Sequence, residues 1–389
     1  MKRIFLDNAS TTKIDPEVLH AMLPYFTKYY GNPSSIHAFG REARKAVDTA
    51  RTNIADLIGA KDDEIIFTAG GTESDNLAIK GISYLNKDKR TTKGPHIITS
   101  TIEHPGVLET CRHLETQGFQ VKYLPVDTDG LISLLDLQKS ISKNTFLITI
   151  MSANNEIGTI QPIEEIGKIS HEHNIIFHTD AVQAVTKLPI KVKKQHIDLL
   201  ALSSHKIHGP KGTGALYIRN GIRVQPIIHG GGHEKGIRSS TLNVPGIVGL
   251  GKACELAKKR MPRDIPYMKT LRDLLIKNTL QIEESYLNGH PTKRLVNNAH
   301  FRFTGIEGES LLLGLDEQGI ATSTGSACSS QKLQASHVLL AIGLDPVQAH
   351  GSLRLSLGRE NTKEEVHYVS KIIPQVVEKL RMMSPLWNR

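Results

Sequence analysis

The feature that most constrains this chain is an alternation of short apolar runs with helical stretches over roughly its first 260 residues. Between residues 43 and 58, apolar side chains recur at spacings of three and four, which is typical of a helix with one buried face. Alternation of this kind predicts an α/β domain with a largely parallel sheet. The apolar runs, each bounded by polar turns, are residues 64–68, 96–100, 145–150, 175–178, 198–203 and 214–218.

The pattern changes after about residue 260. Thr362 and Glu365 form a capping box that predicts the start of a last helix. We therefore divide the chain into a large domain of residues 13–261 and a smaller α+β domain formed by residues 1–12 and 262–389. The patterns behind this division predict helices at 244–260, 264–287 and 309–315, and strands at 295–303 and 352–357.

The composition excludes several classes of protein. Of the 389 residues, 39% are hydrophobic and 22% are charged, which is ordinary for a globular enzyme and unlike a disordered, collagenous or disulfide-stapled chain. The three cysteines form no Cys-x-x-Cys pair, so we expect a reducing cytosol. No apolar run approaches the roughly 18 residues of a membrane span, and the first residues do not form a signal peptide. We expect a cytoplasmic protein without a membrane partner.

The chain is basic, with 48 Lys and Arg against 39 Asp and Glu. The basic residues are spread out, and the local cluster at 187–194 lacks interleaved aromatic side chains. Nucleic acid is therefore not the expected partner. An acidic protein partner explains the charge at least as well.

Polar residues follow several of the predicted strands, at the sheet edge where ligands of α/β proteins gather. The segment 68–76 contains Gly71 and Thr72 and opens a helix, so its backbone N–H groups suit a phosphate. A plain strand-to-helix turn is the alternative for that segment. Asp180 follows a buried strand, either as a helix cap or as the counter-charge of a protonated ring nitrogen.

Lys206 and an asparagine-rich turn complete this set of strand ends. Lys206 follows the run 198–203, and a partly desolvated amine there can act as a nucleophile. The turn 151–156 offers amides to a ligand, or is simply a turn. A lysine, a carboxylate for a pyridinium nitrogen and a phosphate cradle together form the set that pyridoxal phosphate requires.

The chain resembles a cysteine desulfurase of the NifS/IscS type, within the class V aminotransferase superfamily of fold-type I pyridoxal-phosphate enzymes. The resemblance implies an α/β fold with a mixed, mostly parallel sheet in the large domain. It also implies a transferase that converts L-cysteine to L-alanine. The motifs that carry it span nearly the whole chain, at residues 6–12, 31–35, 72–76, 154–158, 180–183, 204–206, 238–241, 325–328 and 353–356.

The resemblance also implies a role for each matching residue. Lys206 would attach to the cofactor, Asp180 would face its ring nitrogen and Gln183 its ring oxygen. Asn155 would contact the cofactor and, together with Arg354, bind the substrate, since a guanidinium fork suits a carboxylate. His104 would stack on the ring and shuttle protons. The phosphate would be held by Gly71, Thr72, Ser203 and His205. Thr241 would reach the phosphate from the other subunit of a homodimer.

Cys328 lies in a stretch of small residues, 323–330, that predicts a loop. By resemblance, its thiolate would take the substrate sulfur as a persulfide, pass it to a sulfur acceptor or iron–sulfur scaffold protein, and serve as a transient ligand of an iron–sulfur cluster. Cys111 and Cys254 fall in helical stretches, where a buried thiol is expected.

Three other functions stay open at this point. A selenocysteine lyase shares nearly all of these residues. Another class V aminotransferase-like enzyme keeps Lys206 and Asp180 but does not need Cys328 in a loop. A non-enzymatic sulfur or iron–sulfur scaffold is disfavoured, because a scaffold does not need the set of Lys206, Asp180 and His104. The sequence does not identify the physiological sulfur acceptor.

Overall fold

The computed structural model describes residues 3–87, 94–325, 335–385 and 387. In chain order, its strands are β1 Ile4–Phe5, β2 Ile65–Thr68, β3 His96–Ser100, β4 Gln120–Leu124, β5 Thr145–Thr149, β6 Ile176–Asp180, β7 Leu199–Ser203, β8 Gly214–Ile218, β9 Ser285–Leu287, β10 Asn298–Phe303, β11 Ile320–Ala321 and β12 Ser352–Ser356. Its helices are α1 Pro16–Met22, α2 Pro24–Thr27, α3 Ala38–Ile58, α4 Gly71–Asn86, α5 Pro105–Glu115, α6 Leu134–Ser140, α7 Ile163–Glu172, α8 Val244–Thr279, α9 Gly308–Asp316, α10 His337–Ala341, α11 Pro346–His350 and α12 Lys363–Met383.

Seven strands form the main sheet, in the order β2-β8-β7-β6-β5-β3-β4. Strand β8 runs antiparallel to both of its neighbours, and the other neighbouring pairs are parallel. All residues of β5, β7 and β8 are buried, as expected where helices cover both faces of a sheet. The α/β fold with a mixed, mostly parallel sheet is confirmed.

Two apolar clusters cover the two faces of this sheet. On one face, Val47 and Ile54 of α3 and Leu250 of α8 pack with sheet residues. On the other face, Leu77 of α4 and Val107 of α5 belong to a second cluster. The carboxyl ends of the parallel strands stay open between these layers, which leaves that edge available for a site.

A smaller unit surrounds a third apolar cluster. Strands β12, β10 and β9 form an antiparallel sheet in that order, and β1 pairs in parallel with β11. Ile4 and Leu6 from the N-terminal segment join Leu271 and Leu275 of α8 and Val369 of α12 in its core. The N-terminal residues thus pack with the C-terminal ones, while the exact domain division stays a prediction.

Helix α8 differs from the expectation of two helices. It is continuous over 36 residues and includes Pro262 and Pro266. A proline inside a helix removes a backbone donor and usually breaks it. Here the first half packs into the large core and the second half into the small core, so tertiary packing outweighs that cost. The predicted helix 264–287 also ends early, and β9 occupies its last residues.

The other expectations for the C-terminal part agree with the structure more closely. The capping box at α12 is present, with the Glu365 N–H donating to Thr362 Oγ1 at 3.2 Å and the Thr362 N–H to Glu365 Oε2 at 3.3 Å.

Within residues 3–87, 94–325, 335–385 and 387, none of the helices combines the length and the apolar character needed to cross a membrane.

Candidate active site

The site lies where β2, β6 and β7 end. Asp180 is the last residue of β6, Ser203 is the last of β7, and Lys206 ends the short 3-10 turn that follows. Gly71 opens α4 directly after β2, and His104 caps the N-terminus of α5. The fold therefore brings together five of the residues that the sequence singled out.

An open cleft of about 510 Å³ runs along this edge and contains the expected phosphate cradle. A side chain at position 71 would collide with Val182 Cγ2 at 2.6 Å, so only glycine fits there. The backbone of the α4 N-terminus thereby stays exposed to the cleft, where its free N–H groups suit a phosphate. The lining residues are Ser10, Thr11, Ala69, Gly70, Gly71, Thr72, Glu73, Ser203, His205, Lys211 and Gly212.

His205 is neutral in this cleft. Burial and the nearby positive charges of Lys206, Lys211 and Lys187 lower its pKa to about 4. Its Nδ1 lies 3.1 Å from Thr11 Oγ1. A neutral ring with one N–H can donate a hydrogen bond to a phosphate without adding a charge.

The amine of Lys206 is oriented by the N-terminal segment. Its Nζ donates to the carbonyl oxygens of Ala9 and Ser10, both at 2.6 Å. Lys187 lies on the other side of this turn, with its Nζ 3.5 Å from the Lys206 carbonyl oxygen. Burial and the charge of Lys206 lower the pKa of Lys187 to about 7. The buried Lys187 amine therefore lies beside the turn that carries the half-buried Lys206.

Asp180 is buried, and its Oδ1 accepts the Val182 N–H at 2.8 Å. Burial raises its pKa, while His104, the Val182 N–H and Lys206 oppose that shift. Acceptor atoms of Asp75, His104 and Asp180 all lie within 4.8 Å of one another. A carboxylate buried beside two such groups fits a cationic ring nitrogen, because a bound cation offsets the cost of burying its charge.

His104 presents a defined tautomer when neutral. Its Nδ1 accepts the Gly106 N–H at 3.0 Å, so the ring proton sits on Nε2. Burial lowers its pKa, and Lys206 acts in the same direction, while the charge of Asp180 acts against them. In the neutral ring, Nε2 is thus the atom that can donate a hydrogen bond.

A buried pair behind Asp180 was not predicted from the sequence. His178 Nε2 lies 3.5 Å from Asp75 Oδ1, and neither atom has a hydrogen-bond partner in the described part of the chain. Burial lowers the pKa of His178 to about 3 and raises that of Asp75 well above its usual range, with Asp180 adding to the latter. The only sequence signal was the position of both residues inside motifs at strand ends.

The expected substrate residues meet at the border of the small domain. Arg354 is buried, and its Nη1 donates to the Asn155 carbonyl at 3.0 Å and to the Gly325 carbonyl at 3.1 Å. Its Nη2 donates to Asp7 Oδ1 at 3.0 Å. The counter-charge Asp7 was not predicted. Gln183 Nε2 donates to the Ala9 carbonyl at 2.8 Å, which places its amide beside the carbonyls that hold Lys206.

Thr241 lies apart from this cleft. It is exposed and is not among the described residues that line the cleft. The loop that carries it is held in two places. Arg238 Nε donates to Glu73 Oε1 at 2.8 Å, and Glu234 accepts the Phe67 N–H at 2.8 Å. The structure thus fixes the base of the loop and leaves Thr241 facing outward.

The structure describes two of the three cysteines. Cys328 lies outside the described residues, so the prediction for its loop stays a prediction. Cys111 and Cys254 are buried in α5 and α8. Burial raises the pKa of both thiols, to about 12 for Cys254. At neutral pH both are protonated and unreactive, because the thiolate is the nucleophile.

We expect the folded protein to take up one alkyl group and the denatured protein three. Iodoacetamide at pH 8 should modify Cys328 and spare Cys111 and Cys254, whose raised pKa values keep the thiolate fraction low. Peptide mass spectrometry after short labelling checks this, with the Cys328→Ala variant as the control. Fast labelling of Cys111 or Cys254 in the folded protein would contradict the assignment.

Comparison with known proteins gives consistent matches over nearly the whole chain. The family model for class-V aminotransferases matches residues 4–369. A cysteine desulfurase IscS from Methanosarcina thermophila is 56% identical over 385 residues, which cover 99% of this chain and 94% of that protein. A solved NifS-like protein has a TM-score of 0.91 at 39% identity, over 97% of this chain and 100% of that one.

A second solved structure, of SspA in complex with cysteine, has a TM-score of 0.81 at 39% identity. It covers 93% of this chain and 100% of that one. The predicted family is confirmed by agreement between sequence and structure over this length. The chain belongs to the class-V aminotransferase family and, within it, to the cysteine desulfurases, which depend on pyridoxal phosphate.

Proposed function

We propose that this chain desulfurates L-cysteine to L-alanine, with Lys206 holding pyridoxal phosphate and Cys328 receiving the sulfur as a persulfide. The observation that carries the proposal is the convergence of Lys206, Asp180 and His104 beside a glycine-lined cradle at the carboxyl edge of the sheet. That convergence supplies an amine, a buried carboxylate and an anion site in one place.

The cofactor, when bound, supplies an electron sink for the negative charge that develops on the substrate. Asp180 holds a proton at the ring nitrogen, and its burial makes that pairing strong. Gly71, Thr72, Ser203 and His205 would hold the phosphate, since all four line the cleft. These roles agree with the predicted residues and remain proposals.

Two side chains are placed to move protons. The carbonyl oxygens of Ala9 and Ser10 accept from Lys206 Nζ. A protonated Lys206 amine that is not attached to the cofactor therefore has two hydrogen-bond acceptors. His104 carries its proton at Nε2, with Nδ1 engaged by the Gly106 N–H. His104 can deliver this proton from its imidazolium form, which the charge of Asp180 favours, and it then returns to a neutral ring.

Asn155 and Arg354 would bind the substrate. Arg354 supplies a buried guanidinium for the carboxylate of cysteine, and its Nε has no hydrogen-bond partner among the described residues. Asp7 and the Asn155 carbonyl already orient the Arg354 guanidinium. A preoriented guanidinium binds a carboxylate at a smaller entropic cost than a free one.

The sulfur step balances without a further oxidant. The Cys328 thiolate attacks the substrate Sγ, and the new S–S bond forms as the Cβ–Sγ bond of the substrate breaks. The bonding pair remains on Cβ, which takes up a proton and becomes the methyl group of alanine. The enzyme keeps the sulfur on Cys328 as a persulfide, ready for a thiol acceptor or for an iron–sulfur scaffold.

We further propose a cytoplasmic homodimer that passes sulfur to an acceptor protein. Thr241 faces outward, which suits a contribution to the phosphate site of a partner subunit. Large apolar side chains are also exposed near the N-terminus, including Ile36 at 90% exposure, and a patch of this kind is typical of an interface. The others are Leu23, Phe26, Tyr30 and Phe39. A reducing cytosol would keep Cys328 reduced between turnovers.

Cys328→Ala should separate cofactor binding from sulfur removal. The variant should stay yellow and change its spectrum with cysteine, because Lys206 and Asp180 are intact. It should release no alanine, since the attacking thiolate is missing. Absorbance and alanine assays measure this, with Cys254→Ala as the control that keeps wild-type turnover. Alanine release at the wild-type rate from Cys328→Ala would refute the proposed role.

Mixing two inactive variants should restore activity if the sites are shared. A heterodimer of Lys206→Ala and Thr241→Ala subunits contains one site with both residues intact and one with neither. Subunit exchange should therefore give more alanine than the sum of the separate homodimers. No gain after proven exchange, or a fully active monomer in sedimentation, would contradict the shared site.

A further inference from the structure

The carboxylate of Glu156 is bonded to Ser336, which follows the segment that contains Cys328, and lies near Gly325, which precedes it. Ser336 Oγ donates to Glu156 Oε2 at 2.5 Å. On the other side, a Cβ at Gly325 would lie 3.2 Å from the same oxygen and 3.0 Å from His300 Nε2. One buried oxygen thus bonds to Ser336 after the segment and leaves little room for a side chain at position 325 before it.

The backbone of Glu156 is itself firmly held. Its N–H donates to Asn154 Oδ1 at 2.9 Å, and its carbonyl accepts from Asn298 Nδ2 at 2.9 Å. Glu156 is 4% exposed. The backbone bonds therefore hold the Glu156 carboxylate in place, so that it can position the groups to which it is bonded.

The same turn belongs to the proposed substrate site. Asn155, the neighbour of Glu156, accepts from Arg354 Nη1 through its carbonyl, and that nitrogen also donates to the Gly325 carbonyl. Gly325 has a φ of +106°, a conformation that favours glycine. Gly325, directly before the Cys328 segment, is therefore bonded to the guanidinium and lies near the Glu156 carboxylate.

The end of the segment depends on the hydroxyl of Ser336. That oxygen caps α10 by accepting the N–H groups of Val338 and Leu339 at 3.2 and 3.4 Å. Its proton is committed to Glu156. A hydroxyl that donates to a carboxylate makes a stronger bond than one that donates to a neutral amide.

We propose that Glu156 is a positioning residue for sulfur transfer. It fixes the positions of Gly325 and Ser336, which flank the segment 326–335. It does so from the turn whose Asn155 carbonyl accepts from the Arg354 guanidinium. The inference rests on the proposed function, because it assumes that Cys328 takes the sulfur. Loss of the Glu156 charge should slow transfer of sulfur to Cys328 without weakening the binding of cysteine.

The test uses the holoenzyme and five variants. Glu156→Gln keeps the shape and removes the charge, Ser336→Ala removes the donor and Ser336→Thr keeps a hydroxyl. The matched control is Glu307→Gln. It removes an exposed carboxylate that, like Glu156, accepts a hydrogen bond from a serine hydroxyl, that of Ser310 at 2.8 Å. Cys328→Ala is measured beside them.

For each variant we would measure the single-turnover rate of alanine formation at saturating cysteine. We would also measure the melting temperature and the cysteine concentration that gives half of the maximal change in cofactor absorbance. Glu156→Gln and Ser336→Ala should lower the rate about tenfold, as expected for losing a charge-assisted hydrogen bond. Half-saturation should change by less than about twofold, because the bonds that orient Arg354, to Asp7 Oδ1 and the Asn155 carbonyl, do not use the Glu156 side chain. Ser336→Thr and Glu307→Gln should keep the wild-type rate.

Two results would overturn the inference, namely a wild-type rate in both Glu156→Gln and Ser336→Ala, or a loss explained entirely by weaker cysteine binding. If Glu156→Gln does not fold, Ser336→Ala and Ser336→Thr decide the question. The proposed function fails separately, through alanine formation by Cys328→Ala. An inactive Cys328→Ala beside an unaffected Glu156→Gln would remove only the positioning role.

Discussion

The active site depends on the N-terminal segment, which bonds to both halves of the protein. Ile4 and Phe5 pair with β11, and the Ala9 N–H donates to Ser356 Oγ at 2.8 Å, so the segment is anchored in the small unit. The Thr12 N–H donates to the His205 carbonyl at 2.9 Å, directly beside Lys206. The position of the Lys206 amine is therefore set by carbonyls almost 200 residues away in the chain.

Around this anchor, the protein buries a cluster of ionisable side chains. Burial raises the pKa of Glu103 to about 8 and also raises the pKa values of Asp75 and Asp180. It lowers the pKa values of the neighbouring His104 and Lys187. Acidic and basic groups whose pKa values are shifted toward neutrality are typical of sites that bind ionic ligands and transfer protons.

Much of the large domain followed from periodicity. The buried strands β3 and β8 lie where apolar runs predicted them, but β4 was missed, because it is an edge strand with exposed polar residues. Two helices were predicted where α8 is continuous, because packing of its two halves outweighs the cost of its internal prolines. Asp7 and Glu156 act through partners distant in sequence, Arg354 and Ser336, and no local pattern reveals such pairs. The residues at strand ends were predictable because parallel strands share one edge.

The central claim is that Lys206 is the lysine that carries the cofactor. Borohydride reduction of the holoenzyme, followed by peptide mass spectrometry, tests it most directly, because Lys187 and Lys211 lie close enough to compete. We predict that the cofactor mass appears on Lys206 alone, and that Lys206→Ala carries no such adduct. An adduct mapped to Lys187 or Lys211 in the wild-type protein would contradict the account.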